Sequence, residues 1–166
     1  MSAWFSMLGE PVAADERRLV AGYLRGLDVT EDLPVERVAD WNDARAVVTD
    51  AGWDHRWWDA EQREKERLWA RAVETHGESE LLVAVSQTLE ASDALRRAAA
   101  SAAERFGCED AGLVGSAAGA ASQAFHLTEL ARLAGESDEH PFYLKRALFA
   151  AGRWPLGILR GRYRIF

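Results

Sequence analysis

The residues best suited to catalysis or metal binding lie within the segment 111–128, which contains no charged side chain, and just after it. Five of them share one face of a predicted helix, because they are spaced by four, three, four and three residues: Gly115, Gly119, Ser122, His126 and Glu129. On this face His126 could act as a general base oriented by Glu129, or the two could bind a metal ion together. The alternative is that His126 is a hydrogen-bonded residue of the core.

The two glycines on this face need a structural explanation. Each costs a helix roughly 1 kcal/mol relative to alanine. One explanation is close contact with the helix predicted over 92–106, whose repeat of small residues would let a neighbour approach. The other is that the missing side chains leave a cavity beside His126.

A second candidate site is the tryptophan-rich segment 53–59. His55 and Asp59 could complete a metal site with the histidine and glutamate described above, and the tryptophans could form the wall of a ligand pocket. The alternative is structural, with Trp53 and Trp58 in the core and His55 facing water. The sequence does not identify which metal or other cofactor would bind.

Charge and composition narrow the class of protein. With 166 residues the chain fits one domain, residues 1–166, and its single cysteine cannot form an intramolecular disulfide. No secretory signal pattern is present, so a cytoplasmic location is expected. Residues 1–140 carry a net charge of −13, which would repel the phosphates of nucleic acid. The uncharged stretch is interrupted by polar residues and favours a buried helix rather than a membrane span.

The C-terminal segment, residues 153–166, has the opposite charge character. It contains no acidic residue, and its pattern predicts either a basic β-hairpin packed on the helices or an irregular arm. A two-residue turn of type II′ that starts at Gly161 would place Ile158 opposite Ile165 and Arg160 opposite Tyr163.

This segment is also the predicted partner-binding surface, because arginine and aromatic residues are enriched at interfaces. The residues concerned are Arg160, Arg162, Tyr163, Arg164 and Phe166. The partner would be another protein or a second copy of this chain, which would make a homodimer. The alternative is that the arginines form ion pairs with the acidic body of their own chain.

Taken together, these patterns predict a mainly α fold: a compact bundle of about six or seven helices with a short C-terminal β-hairpin. Glu61 and Lys65 are placed on the exposed side of one of these helices. The predicted function is a non-catalytic helical protein-interaction module that uses its C-terminal hairpin. The alternative is a small metal-dependent enzyme with His126 and Glu129 in a buried pocket.

Overall fold

The computed structural model describes residues 3–166, and this part of the chain forms seven helices and three strands. The helices are α1 (Ala14–Gly26), α2 (Trp41–Thr49), α3 (Arg56–His76), α4 (Glu78–Gln87), α5 (Glu90–Arg105), α6 (Ala111–Leu133) and α7 (Pro141–Ala150). The strands are β1 (Val35–Arg37), β2 (Pro155–Leu159) and β3 (Arg162–Ile165). The predicted mainly α fold with a C-terminal hairpin is confirmed.

Short-range signals define several helix ends. The Asp110 carboxylate accepts a 3.0 Å hydrogen bond from the Leu113 N–H and so satisfies one free donor at the start of α6. At the start of α7, Nδ1 of His140 accepts the Phe142 N–H. Gly77, with a φ of 82°, ends α3 in a backbone conformation that suits glycine.

The hairpin belongs to a three-stranded sheet that the sequence did not predict. The strand order is β1-β3-β2, with β1 parallel and β2 antiparallel to the central strand β3. Val35 of β1 lies opposite Tyr163 of β3. The sheet therefore joins the segment that follows α1 to the C-terminal segment.

The predicted register of the hairpin is wrong by two residues. Ile158 lies opposite Tyr163, and Leu159 lies opposite Arg162. The turn residues are Arg160 and Gly161, whose φ angles of 52° and 72° match a type I′ turn rather than type II′. Arg160 therefore sits in the turn and has no partner in the strand ladder.

The long helices α5 and α6 pack against each other through alanine side chains. Ala99 and Ala102 of α5, and Ala117 and Ala121 of α6, are all 0% exposed and belong to one apolar cluster. Side chains this small allow two helix backbones to approach closely. The predicted alanine contact face of α5 is confirmed.

Within residues 3–166, no helix combines the length and apolar character that crossing a membrane would require.

Candidate functional site

His126 and Glu129 lie one helical turn apart on α6, but they engage different neighbours. Nδ1 of His126, which is half-buried, lies 3.4 Å from Oγ1 of Thr88. The Glu129 carboxylate accepts hydrogen bonds of 2.6 and 2.9 Å from Arg132. Burial, reinforced by the positive charge of Lys65, lowers the pKa of His126 and so favours the neutral ring. Within residues 3–166 no hydrogen bond joins His126 to Glu129, so the predicted pair of base and orienting carboxylate is not formed.

The predicted metal site is not assembled either. His55 and Asp59 are exposed at the start of α3, whereas His126 faces the end of α4. Across the described residues, no group of three or more histidine, cysteine, aspartate or glutamate side chains is placed to hold a metal ion. The ligand set of His126, Glu129, His55 and Asp59 is corrected accordingly. The tryptophan beside them, Trp58, is 42% exposed and does not fill the core.

The basic residues of the hairpin form ion pairs with their own chain. In the turn, Arg160 contacts Asp50 at 3.0 Å. On β3, Arg162 lies 2.8 Å from Glu36, and Arg164 contacts the same carboxylate. Glu36 belongs to β1, so one acidic residue of the neighbouring strand binds both arginines. The structure therefore matches the alternative, in which these arginines form ion pairs with acidic residues of their own chain.

The two aromatic residues of the predicted partner surface are buried. Tyr163 and Phe166 are each 1% exposed. The Phe166 ring contacts Trp41 edge to face, with centroids 5.2 Å apart, and the Tyr163 ring meets Tyr23 in the same way. Their assignment to a partner-binding surface is corrected, because their rings are already packed in the core.

A buried ionic cluster, which the sequence did not predict, connects α1, α3 and α7. Glu61 is 0% exposed, and its two carboxylate oxygens lie 3.0 and 2.9 Å from Nζ of Lys145. The hydroxyl of Tyr23, also 0% exposed, donates to the same carboxylate. Burial and then the nearby Glu61 charge raise the pKa of Tyr23, so the phenol keeps its proton and acts as a donor. The cluster is almost entirely shielded from solvent, with the Lys145 side chain 11% exposed, and it links three helices.

Arg153 makes a second buried connection. It is 1% exposed, and its Nε donates to Glu16 at 2.7 Å. The rest of its guanidinium donates to the backbone carbonyls of Met7, Glu10 and Pro11. This residue, counted as part of the basic C-terminal segment, therefore holds the region before α1 against the C-terminal strands.

An unfilled, mainly apolar surface lies on the outer side of α5 and α6. An apolar groove of about 550 Å³ runs between the two helices. It is lined mainly by small residues: Ala100, Ala103, Glu104, Gly107, Cys108, Glu109, Ala111, Val114 and Gly115. We call these residues, together with Gly119, the α5–α6 surface. Phe106, 59% exposed, lies at the end of α5 close to it.

The glycines of α6 face outward on this surface. Both Gly115 and Gly119 are exposed, and a Cβ added to either would meet no heavy atom within 4 Å. Neither explanation from the sequence therefore applies, because the glycines neither contact α5 nor line a cavity beside His126. The helix uses alanines for its contact with α5 and turns its glycine side toward solvent.

An exposed helix face without charge is unusual, since surface helices normally carry charged residues on their outer side. The outward residues Gly115, Ser116 and Gly119 lie in the uncharged stretch 111–128. The sequence showed the missing charge and the glycine spacing, but it did not show that this face was exposed. Such a face allows the close approach of another apolar surface.

Comparisons with protein-family models, with curated proteins and with solved structures found no match to this chain.

Proposed function

We propose that this protein is a non-catalytic, cytoplasmic protein-association module and that it binds its partner through the α5–α6 surface. One observation carries the proposal: Gly115 and Gly119 are exposed on an uncharged helix face, beside an apolar groove. Contacts within the described chain do not account for these glycines. A partner helix packed on this face would bury the groove and make use of the close approach that glycine permits.

As expected from the sequence, the proposed function is protein association. The proposed binding surface, however, is the α5–α6 surface and not the C-terminal hairpin. The hairpin arginines are engaged with Asp50 and Glu36, and the hairpin aromatic rings are in the core. The hairpin then serves to close the fold. The α5–α6 surface offers what the hairpin lacks, namely apolar area that no other part of the described chain covers.

A metal-dependent enzyme is not proposed. Glu129 is held by Arg132, and His126 has no group of further ligands around it in residues 3–166. The Glu61 carboxylate is fully buried, and its oxygens are engaged by Tyr23 and Lys145.

The proposal is tested by site-specific photo-crosslinking in living cells of the native host. A benzoylphenylalanine replaces Ser116, an exposed residue between the two outward glycines. In a matched chain the same probe replaces Arg162, an exposed residue of the hairpin. Irradiation is followed by denaturing electrophoresis and mass spectrometry of the adducts.

We expect one dominant protein adduct from position 116 and none from position 162. An additional Gly115→Arg substitution places a large charged side chain on the surface and should abolish that adduct. Adducts from position 162 alone would contradict the α5–α6 surface and would indicate that the partner binds the hairpin. Absence of adducts from both positions would overturn the proposed function.

A further inference from the structure

We propose that the partner is a second copy of this chain, bound with its α5 antiparallel to the first across a two-fold axis. This inference rests on the proposed function, because it names the partner of the same surface. It is carried by the placement of two opposite charges on the outer side of α5, together with the small residues between and beside them.

Arg97 and Glu104 are both exposed, and the side chain of neither forms a hydrogen bond or an ion pair within residues 3–166. Arg96 pairs with Asp93, and Arg105 donates to the Phe5 carbonyl, whereas Glu90, at the first residue of α5, also has no side-chain partner within residues 3–166. The side chains of Arg97 and Glu104 are therefore available to a partner. They lie on the side of α5 that borders the groove.

The spacing of the two charges is self-complementary. Glu104 follows Arg97 by seven positions, which is about two helical turns and about 10 Å along the helix axis. A two-fold axis that passes between Ala100 and Ser101, perpendicular to the helix, brings Arg97 of one copy opposite Glu104 of the other. The symmetry repeats the contact, so one geometry forms two intermolecular ion pairs.

The residues at the centre of this arrangement allow the helices to approach. Ala100 and Ser101 lie at the proposed axis, and both are exposed. Gly115 of α6 lines the groove beside them. With no large side chain in between, the two α5 helices can pack at the short end of the usual range, about 8 Å between axes. The apolar groove is then covered by the second copy.

The charge of the molecule also favours a copy of itself at this position. The whole chain has a net charge of −7, which would make two copies repel over most of their surfaces. The helix α5, however, carries three arginines and three acidic residues, so it has no net charge. A second copy can therefore dock here without bringing two acidic surfaces together, and the two ion pairs set the orientation.

The test is a charge exchange on the 166-residue chain, in which self-association is measured by sedimentation equilibrium at low and moderate salt. We expect the unmodified chain to form a dimer in the micromolar range. Arg97→Glu places acidic side chains opposite each other, and Glu104→Arg places arginines opposite each other. Each single change should weaken dimerisation at least tenfold, which is about 1.4 kcal/mol.

The double variant, Arg97→Glu with Glu104→Arg, restores two opposite-charge pairs and should recover most of the affinity. Recovery would show that these two positions face each other, which a change in overall charge would not produce. The matched control is Glu66→Arg, the same charge change at an exposed position of α3. This control should dimerise like the unmodified chain, and circular dichroism should show that all variants are folded.

Two outcomes would overturn the inference: a chain that stays monomeric at high micromolar concentration, or a dimer whose affinity is the same in all four charge combinations. Photo-crosslinking at position 116 separates these from failure of the proposed function. An adduct with a different protein leaves the association module in place and excludes the second copy. An adduct with twice the mass of the chain supports both.

Discussion

Nζ of Lys145 lies within 3.0 Å of both carboxylate oxygens of Glu61, at a place where Glu61 is completely buried. The ammonium group also lies 5.5 Å from the ring centroid of Trp57 and 5.6 Å from that of Tyr23. Two charges removed from water are tolerated only when each neutralises the other. The pair therefore links α7 to α3. If either partner is removed, the other charge is left in the interior without a counter-charge.

We expect Lys145→Met to lower the free energy of unfolding by about 3 kcal/mol, because it leaves the Glu61 carboxylate buried without a counter-charge. The double variant Lys145→Met with Glu61→Leu removes both charges and should recover a large part of the loss. Urea unfolding at neutral pH measures the difference.

The control for this prediction is the exposed pair Arg18–Asp15, whose side chains are 74% and 82% exposed. Arg18→Ala should change stability by less than about 0.5 kcal/mol, since water already solvates both charges. Equal effects of Lys145→Met and Arg18→Ala would contradict the buried role of Lys145.

Acid should weaken the contact between α3 and the start of α7. Hydrogen bonds from Arg67 and then from His140 outweigh burial and lower the pKa of Glu64 to about 2, from 4.5. Because the folded state holds this carboxylate ionised, its contribution is complete above pH 4.5 and is lost as the pH falls toward 2. Glu64→Gln should therefore lose less stability on acidification than the unmodified chain.

Urea unfolding of both chains at about pH 6 and about pH 3 measures this difference. Other carboxylates with lowered pKa, among them Asp50 and Asp110, contribute equally to the two chains. A Glu64→Gln chain with the same acid sensitivity as its parent would be evidence against the assignment.

Gly119→Ala should stabilise the isolated monomer by up to about 1 kcal/mol, since alanine favours the helix and the new methyl group meets open space. The measurement is thermal unfolding at a protein concentration low enough to dissociate any dimer. Gly157→Ala is the contrasting variant. Its Cβ would lie 2.5 Å from the Trp57 ring, and its φ of +126° disfavours a side chain, so it should destabilise. A destabilising Gly119→Ala would show that this face is already packed in the monomer.

Phe166→Ala should cost about 3 to 5 kcal/mol, the usual result of removing a large buried aromatic ring. Arg162→Ala, on the same hairpin but 55% exposed at its side chain, should cost less than about 1 kcal/mol. Chemical denaturation compares the two. Near-native stability of the Phe166 variant would mean that the ring is not part of the core.

The sequence predicted the helices well because their signals are local. Gly77 ends a helix through its own backbone conformation, and the repeat of Leu95, Ala99 and Ala102 marks a single buried face. The strand β1 was missed because three residues are too short to show a strand pattern.

Other features depend on partners far along the chain. Glu61 looks like a member of an exposed charged run, but it is buried because Tyr23 and Lys145, 38 and 84 residues away, supply its hydrogen bonds. In α6, the spacing showed which residues share a face. Because alanine and glycine occur on every side of this helix, it did not show which face would be covered.

The parallel pairing of β1 with β3 has a consequence for synthesis of the chain on the ribosome. Glu36 and Arg164, joined across this pairing, are 128 residues apart in sequence. The β1 segment must therefore wait until β3, about 128 residues later in the sequence, has been synthesised before the two strands can pair. Since such distant contacts form slowly, the helices made first are expected to dwell in an incomplete state, where binding of a chaperone would be most valuable.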